Sequence, residues 1–233
     1  MLASLPRLRP VVHRHSGTRI ATAVGESLLH VGTSRLESFS DGVIAVAITL
    51  LVLGITIPNP GPGHPSLAHQ LGHQWPQYAA YVVSFVTIGI IWINHHAMIT
   101  RLDRADHSIL ILNLLLLMTI GILPFATGVM ASYLRNPQGQ SLAAAVYSGC
   151  FLLMSVAFGT LNRHILLNRT HMMAAELALN DRRRILARSA IGLAPYLVAT
   201  ILAFVSAYAT LAICAAMALY YALPAASGSD HPA

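Results

Sequence analysis

The amino-acid sequence predicts an all-α, polytopic membrane protein with six transmembrane helices. Hydrophobic residues make up 55% of the chain and charged residues only 9%, whereas about a quarter of the residues in a soluble domain are charged. The apolar residues fall into blocks of roughly 20, the length at which a helix crosses about 30 Å of hydrocarbon. The arginines are concentrated in alternate connections between these blocks, as expected of a chain that crosses a bilayer repeatedly.

Each apolar block is predicted to form one membrane-spanning helix. A Pro- and Gly-rich segment ends the first block, and Pro124 predicts a kink in the third. Blocks five and six have almost no polar turn between them, but a single helix of roughly 38 residues would be far too long to cross once. The predicted spans are 39–57, 76–99, 107–133, 142–166, 185–205 and 207–223.

The positions of the basic residues predict the orientation. All 14 are arginines, and all but Arg135 lie in the N-terminal segment, in the second connection, or in and beside the fourth connection. The positive-inside rule therefore places both termini in the cytoplasm, which agrees with an even number of spans. We expect a membrane domain at 31–224 and disordered tails at 1–30 and 225–233. The Arg-rich composition of 1–30 also fits a transit peptide, or sequence upstream of the true start.

Several function classes are disfavoured by what the sequence lacks. It contains no GxSxG or HExxH motif and no Gly-rich phosphate loop, so we expect no catalytic residues and no organic cofactor. The potassium-filter sequence TVGYG is absent. The adjacent His95 and His96 would point about 100° apart on a helix, which argues against a metal site. The arginines lie between spans, so nucleic-acid binding is not expected. Cys150 and Cys214 are predicted to be buried packing residues.

One face of the first block carries a stripe of apolar side chains. Val46, Leu50 and Leu53 are spaced i, i+4, i+7 and lie within about 60° of one another on a helix, flanked by Thr49. Repeated around a symmetry axis, such a stripe would form stacked apolar rings that gate by dewetting. The same spacing also suits a surface that faces lipid or packs on another helix, so periodicity alone leaves both interpretations open.

Polar residues of the first three blocks are predicted to meet at one depth in the membrane. Measured inward from the nearest arginine, they lie roughly 9 Å inside the cytoplasmic edge. Polar groups on neighbouring helices can satisfy one another, and unpaired ones are expensive in lipid. The cluster serves either as structural glue or, since it includes histidine and aspartate, as a pH sensor. Its predicted members are Arg35, Ser40, Asp41, Asn94, His95, His96 and Asn113.

Three motifs give the chain a resemblance to the transmembrane protein 175 family. RxxxFSDG at 35–42, followed by AVAITLLVL, resembles the first helix of that family. WINHH at 92–96 is similar to the end of its second helix. NLLLL at 113–117, with LPF at 123–125, is similar to its third. The resemblance covers about 31–130, whereas the last three spans match mainly in number and length.

The resemblance implies a leak-type, potassium-permeable channel in a bacterial plasma membrane, with K⁺ as the permeant ion. Prokaryotic members are homotetramers in which the first helix of each subunit lines a central pore. Carried over by position, the constriction would consist of Val46, Leu50 and Leu53, with the Thr49 hydroxyl near the ion path. Val46 is smaller than the residue usual in the family, which implies a wider ring. Arg35 and the Phe39-Ser40-Asp41 segment would tie the first helix to the next two.

Two other functions remain open from the sequence. A proton-coupled secondary transporter, or a proton-permeable carrier, would use Asp41 together with His95. Carriers more often show inverted repeats and broken helices at the membrane midplane, and we find no convincing repeat here. A membrane scaffold without transport activity is the third possibility. Passive K⁺ flux without a coupled ion would favour the channel.

Overall fold

Residues 31–223 are described by a computed structural model as a bundle of long helices. The tails expected at 1–30 and 225–233 lie outside this range. Two short strands, β1 (Val31–Gly32) and β2 (Arg104–Ala105), accompany the helices. Within the described range the α-helices are α1 (Thr33–Leu50), α2 (Leu67–His73), α3 (Trp75–Ile99), α4 (His107–Gly121), α5 (Leu123–Tyr133), α6 (Gln140–Arg163), α7 (Leu179–Ile191), α8 (Leu193–Leu202) and α9 (Ala207–Ala222).

The predicted spans correspond to stretches that join several of these helices. In the described range, the stretches long and apolar enough to cross a bilayer are Thr33–Gly54, Trp75–Ile99, His107–Tyr133, Gln140–Asn168 and Leu179–Leu202. Helix α9 is apolar but shorter, with 16 residues, or roughly 24 Å at 1.5 Å per residue. The prediction of an all-α membrane protein is confirmed, with five long spans and one short one.

The first span begins six residues earlier than predicted, at Thr33 rather than at residue 39. The polar block that precedes the apolar run is therefore helical. Its hydroxyls remain inside the helix: Ser38 donates to the carbonyl of Ser34, and Ser40 to that of Leu36, each at 2.8 Å. Such back-bonding satisfies a serine without a partner on another element. A tighter turn, Leu51–Gly54, then ends the span.

Two helix breaks lie close to the positions expected from the sequence. Helix α4 ends at Gly121, and α5 begins at Leu123 with Pro124 in its first turn, where the missing N–H has no helical partner to lose. Helices α8 and α9 form a hairpin. Ser206 caps α9 by accepting a hydrogen bond from the Ala209 N–H at 3.2 Å, so the fifth span ends at Leu202 rather than at residue 205.

The core lies around α6, and α1 lies at the edge of the subunit. Helix α6 packs against α4, α5, α8 and α9, and its Tyr147 and Phe151 are fully buried in an edge-to-face pair with ring centroids 4.8 Å apart. Helix α1 packs against α3, α4 and α5. It buries one side, through residues such as Ile44 and Leu51. The opposite side of α1 has no partner among residues 31–223.

Backbone contacts join the connections at the arginine-rich end of the bundle. Strand β1, immediately before α1, pairs antiparallel with β2 in the connection between α3 and α4. The same connection is bridged to the segment after α6 through Leu102 and Met173, and the Asp103 N–H donates to the carbonyl of Met172 at 2.9 Å. The start of α1 is therefore fixed to the connections that flank α4 and α6.

Asp106 strengthens the same end of the molecule. It caps α4 by accepting from the Ile109 N–H at 2.9 Å, and it accepts from Nε of Arg169. Partial burial raises the pKa of the Asp106 carboxyl, but the hydrogen bonds from Ile109 and Arg169 outweigh it, and the net pKa lies below the usual value. Asp106 is thus held ionised between a helix N-terminus and a guanidinium.

Candidate functional site

The predicted stripe lies on the unpartnered side of α1. The side chains of Val46, Leu50 and Leu53 are 58%, 42% and 75% exposed, respectively, and Thr49 is exposed beside them. Apolar side chains on the other side of the helix are almost completely covered, as at Ile44, which is 2% exposed. Among residues 31–223, therefore, nothing packs on the stripe.

Thr49 adds a polar atom to this otherwise apolar face. Its Oγ1 lies 3.0 Å from the carbonyl oxygen of Ala45 and 2.9 Å from that of Val46, so the hydroxyl proton is used within the helix. A hydroxyl oxygen that donates in this way keeps its acceptor lone pairs. Thr49 thus offers oxygen lone pairs, one turn from Leu53, to a water or a cation on the exposed face.

A buried hydrogen-bonded chain joins the covered side of α1 to α3 and α4. Asn113 Nδ2 donates to Ser40 Oγ at 2.9 Å, and Asn113 Oδ1 lies 2.8 Å from His95 Nε2. Ser40 in turn donates to the carbonyl of Leu36. Because Asn113 Oδ1 can only accept, His95 must carry a proton on Nε2. Three of the predicted polar residues therefore meet with zero solvent exposure, while His95 Nδ1 has no partner in the described chain.

Two further contacts between α1 and α3 lie closer to solvent. Trp92 Nε1 donates to Asp41 Oδ1 at 2.8 Å, and His96 Nδ1 lies 2.6 Å from Glu37 Oε1. Residues 37 and 41, like residues 92 and 96, are one turn apart and share a helix face. The two contacts therefore form successive rungs between antiparallel helices. Glu37 and Trp92 are absent from the predicted cluster, although this matched i, i+4 spacing is visible in the sequence.

The other residues predicted to tie the first helix to its neighbours lie apart from the buried chain. Asn94 is exposed and donates to the carbonyl of Ile90 on its own helix. Phe39 is 55% exposed, and Arg35 is exposed, with no hydrogen bond or ion pair to any described residue. Within residues 31–223, no three His, Cys, Asp or Glu side chains form a group that could hold a metal ion.

The contacts on the two sides of α1 have different consequences. Polar contacts in the membrane fix the rotation of a helix, because turning it would leave buried groups unpaired. The chain from Ser40 to His95 therefore orients the stripe out of the subunit. The fold and this arrangement define a polytopic membrane protein whose first helix is anchored on one side and available for assembly or permeation on the other.

Comparisons with known proteins identify the family. The family model described as the endosomal/lysosomal potassium channel TMEM175 matches residues 35–124. A protein of Streptomyces collinus named as a potassium channel is 46% identical over 191 residues, covering 81% of this chain and 91% of the relative. The human endosomal/lysosomal proton channel TMEM175 is 30% identical over 179 residues, covering 74% of this chain and 35% of the relative. This chain belongs to the TMEM175 family.

A solved structure supports the same assignment at the level of the fold. The crystal structure of a Chamaesiphon minutus homolog of the lysosomal potassium-selective channel TMEM175 superposes with a TM-score of 0.72 at 37% sequence identity. The match covers 82% of this chain and 96% of the crystallised one. The likeness therefore extends over nearly the whole homolog, including the last three spans, where the sequence motifs are weak.

Proposed function

We propose that this protein is a potassium channel, in which four copies in a bacterial plasma membrane assemble around α1 and conduct K⁺ passively. Both termini would lie in the cytoplasm, as the arginine distribution predicts. The names of the Streptomyces relative and the Chamaesiphon structure support the permeant ion. The observation that carries the proposal is the exposed stripe on α1 and the turn that follows it, an ordered apolar face with no partner among residues 31–223.

Fourfold assembly would turn the stripe into a constriction. In a cyclic oligomer the same face of each copy meets around the axis, so each stripe position becomes a ring of four side chains. Rings of Leu50 and Leu53 would exclude water from a narrow pore and allow gating by dewetting. The smaller Val46 would form a wider ring, and the Thr49 oxygens would offer ligands to a partly dehydrated K⁺.

We assign the polar contacts a supporting role. Ser40, Asn113 and His95 would hold the pore helix in its rotational setting, while the rungs from Asp41 to Trp92 and from Glu37 to His96 would brace its cytoplasmic half. Arg35, Phe39 and Asn94, which lie outside these contacts in the single subunit, would act only through neighbouring copies or the bilayer.

A proton pathway through Asp41 and His95 is the competing function, and the human relative is named as a proton channel. In the present structure Asp41 accepts from Trp92, and His95 is bonded to Asn113. No hydrogen bond joins Asp41 to His95 within the described residues. This separation favours K⁺ permeation along α1 over a proton relay through the polar contacts.

Flux measurements on reconstituted protein test the proposal. Proteoliposomes with a K⁺ gradient and no proton gradient should release K⁺ passively. Leu50→Asn should raise that flux several-fold, because a polar ring wets the constriction. Leu153→Asn is the control, since Leu153 is an exposed apolar residue on α6. Flux that requires a proton gradient would indicate a coupled transporter. Equal flux in the two variants would place the pore elsewhere.

A further inference from the structure

A crevice outside the proposed pore opens between α3, α6, α7 and α9. Its volume is about 740 Å³, and none of its lining residues belongs to α1. A space of this size holds a ligand comparable to a drug molecule or the headgroup and part of a lipid chain. It lies in the membrane-spanning part of the protein, so its natural surroundings are lipid rather than water.

The crevice changes from polar to apolar along its length. One end is lined by polar residues: Arg101, two residues after α3, Asn162, near the end of α6, and Ser189 on α7. Phe85 and Val86, deeper along α3, line the other. Phe85 lies fourteen residues before the end of α3 at Ile99, roughly 21 Å along the helix, and Arg101 follows two residues later. This length is close to the depth of one leaflet with its headgroups, half of about 40–45 Å.

Two polar groups at the arginine-rich end lack partners within the described residues. The Arg101 guanidinium makes no hydrogen bond or ion pair there, although burial is sufficient to lower its pKa from the usual value. Asn162 is 3% exposed; its Nδ2 donates to Ser189 Oγ at 2.8 Å, but its Oδ1 has no partner. Among residues 31–223, no Asp or Glu lines the crevice. The crevice is therefore lined by the Arg101 guanidinium, which has no carboxylate partner among the described residues, and by Asn162 Oδ1, which has no donor there.

We propose that this crevice binds an anionic phospholipid with a hydroxyl-bearing headgroup, of the phosphatidylglycerol type, from the leaflet on the arginine-rich side. The phosphate would accept from the Arg101 guanidinium, whose fork of donors suits phosphate oxygens. A headgroup hydroxyl would donate to Asn162 Oδ1, and one acyl chain would lie along Phe85 and Val86. A phosphatidylcholine headgroup supplies neither a net negative charge nor a hydroxyl donor.

Native mass spectrometry of the purified full chain tests the headgroup. Dioleoylphosphatidylglycerol should be retained roughly tenfold more than dioleoylphosphatidylcholine, and Arg101→Gln should remove that preference, as expected for a lost charge-assisted hydrogen bond. Arg183→Gln is the matched control: Arg183 carries the same charge, is exposed on α7 and does not line the crevice. Equal retention of the two lipids, or equal losses in the two variants, would overturn the proposal.

A second variant tests the acyl end. An added Cβ at Gly89, which lines the crevice, meets no atom within 4 Å. Gly89→Phe should therefore fill the space without disturbing the helix and reduce retention of dioleoylphosphatidylglycerol about as much as Arg101→Gln. Unchanged retention in Gly89→Phe would place the lipid elsewhere and leave the crevice to another occupant, such as a neighbouring copy. The measurement needs no ion flux, so its failure is distinct from failure of the channel proposal.

Discussion

Asn113 lies at the centre of a polar chain that crosses three membrane helices. Its carboxamide donates to Ser40 and accepts from His95, which requires a side chain with both a donor and an acceptor. An ionised aspartate could only accept, and leucine could do neither. In a membrane interior no water replaces a lost partner, so one substitution at this position leaves His95 Nε2 on α3 unpaired and removes the side-chain hydrogen bond to α1.

Asn113→Ala should destabilise the protein by about 2 kcal/mol, because it leaves Nε2–H of His95 without an acceptor and removes the hydrogen bond donated to Ser40 Oγ. The effect is measured as the shift in the unfolding midpoint of purified protein in a denaturing-detergent titration. Asn94→Ala provides the comparison, since Asn94 is exposed and bonds only its own helix. Equal midpoints for the two variants would show that the buried chain does not stabilise the fold.

The depth of a residue in the membrane can be read from the sequence, and depth alone predicts that Ser40, His95 and Asn113 lie close together. It was not enough to separate Asn94 from His95, because consecutive residues share a depth but point about 100° apart. The direction in which α3 faces α1 depends on packing of the whole bundle. The partners of Asp41 and His96 were missed for a related reason: the matched spacings of 37/41 and 92/96 only acquire meaning once the helices are known to be adjacent.

At the scale of elements, the beginning of α4 is held by several independent contacts. Asp106 caps the helix and accepts from Arg169, while β2, just before it, pairs with β1 at the start of α1. The helix break at Pro124 was predicted from a local signal, whereas the break before α9 was predicted from the length of the apolar run. The sequence could not show the β1–β2 pair, which joins segments more than 70 residues apart, nor that α1 extends back through its polar block.

The Asp106 contacts predict a specific loss of stability in acid. The pKa of Asp106 is lowered in the folded state, so the unfolded chain binds the proton more readily and stability rises with pH across that interval. The contribution is complete above the ordinary aspartate pKa of about 3.9 and is lost as the pH falls through the lower folded value. Asp106→Asn should therefore weaken the dependence of the unfolding midpoint on pH below about pH 4. Asp103→Asn, at an exposed position, should retain the wild-type dependence on pH.

At the scale of the whole molecule, α1 leaves apolar surface for contacts outside the subunit, as the other spans do. In a bilayer, exposed apolar side chains are compatible with lipid, so exposure alone does not require assembly. Three features favour a location of the stripe at the symmetry axis of an oligomer. These are the regular spacing of its apolar side chains, the presence of Thr49, and the hydrogen bonds that anchor the opposite side of α1. The positions of this stripe can be read from the sequence, whereas its exposure depends on the location of α1 at the edge of the bundle.

The assembly should contain four copies of the 25.0 kDa chain. Native mass spectrometry of the protein released gently from membranes measures this number directly. A tetramer with fourfold symmetry is the expected result, because each copy contributes one α1 to the proposed pore. A monomer or dimer as the flux-competent species would rule out a pore formed by four first helices.

Thiol labelling of the stripe tests the central claim most directly. A Leu53→Cys channel in K⁺-loaded proteoliposomes should lose K⁺ flux when a charged, water-soluble thiol reagent is added, because modified side chains would fill the ion path. The native Cys150 and Cys214 are buried, and Val82→Cys, at an exposed position on α3, is the control that should keep its flux. Flux that survives complete modification of Leu53→Cys would show that α1 does not line the pore.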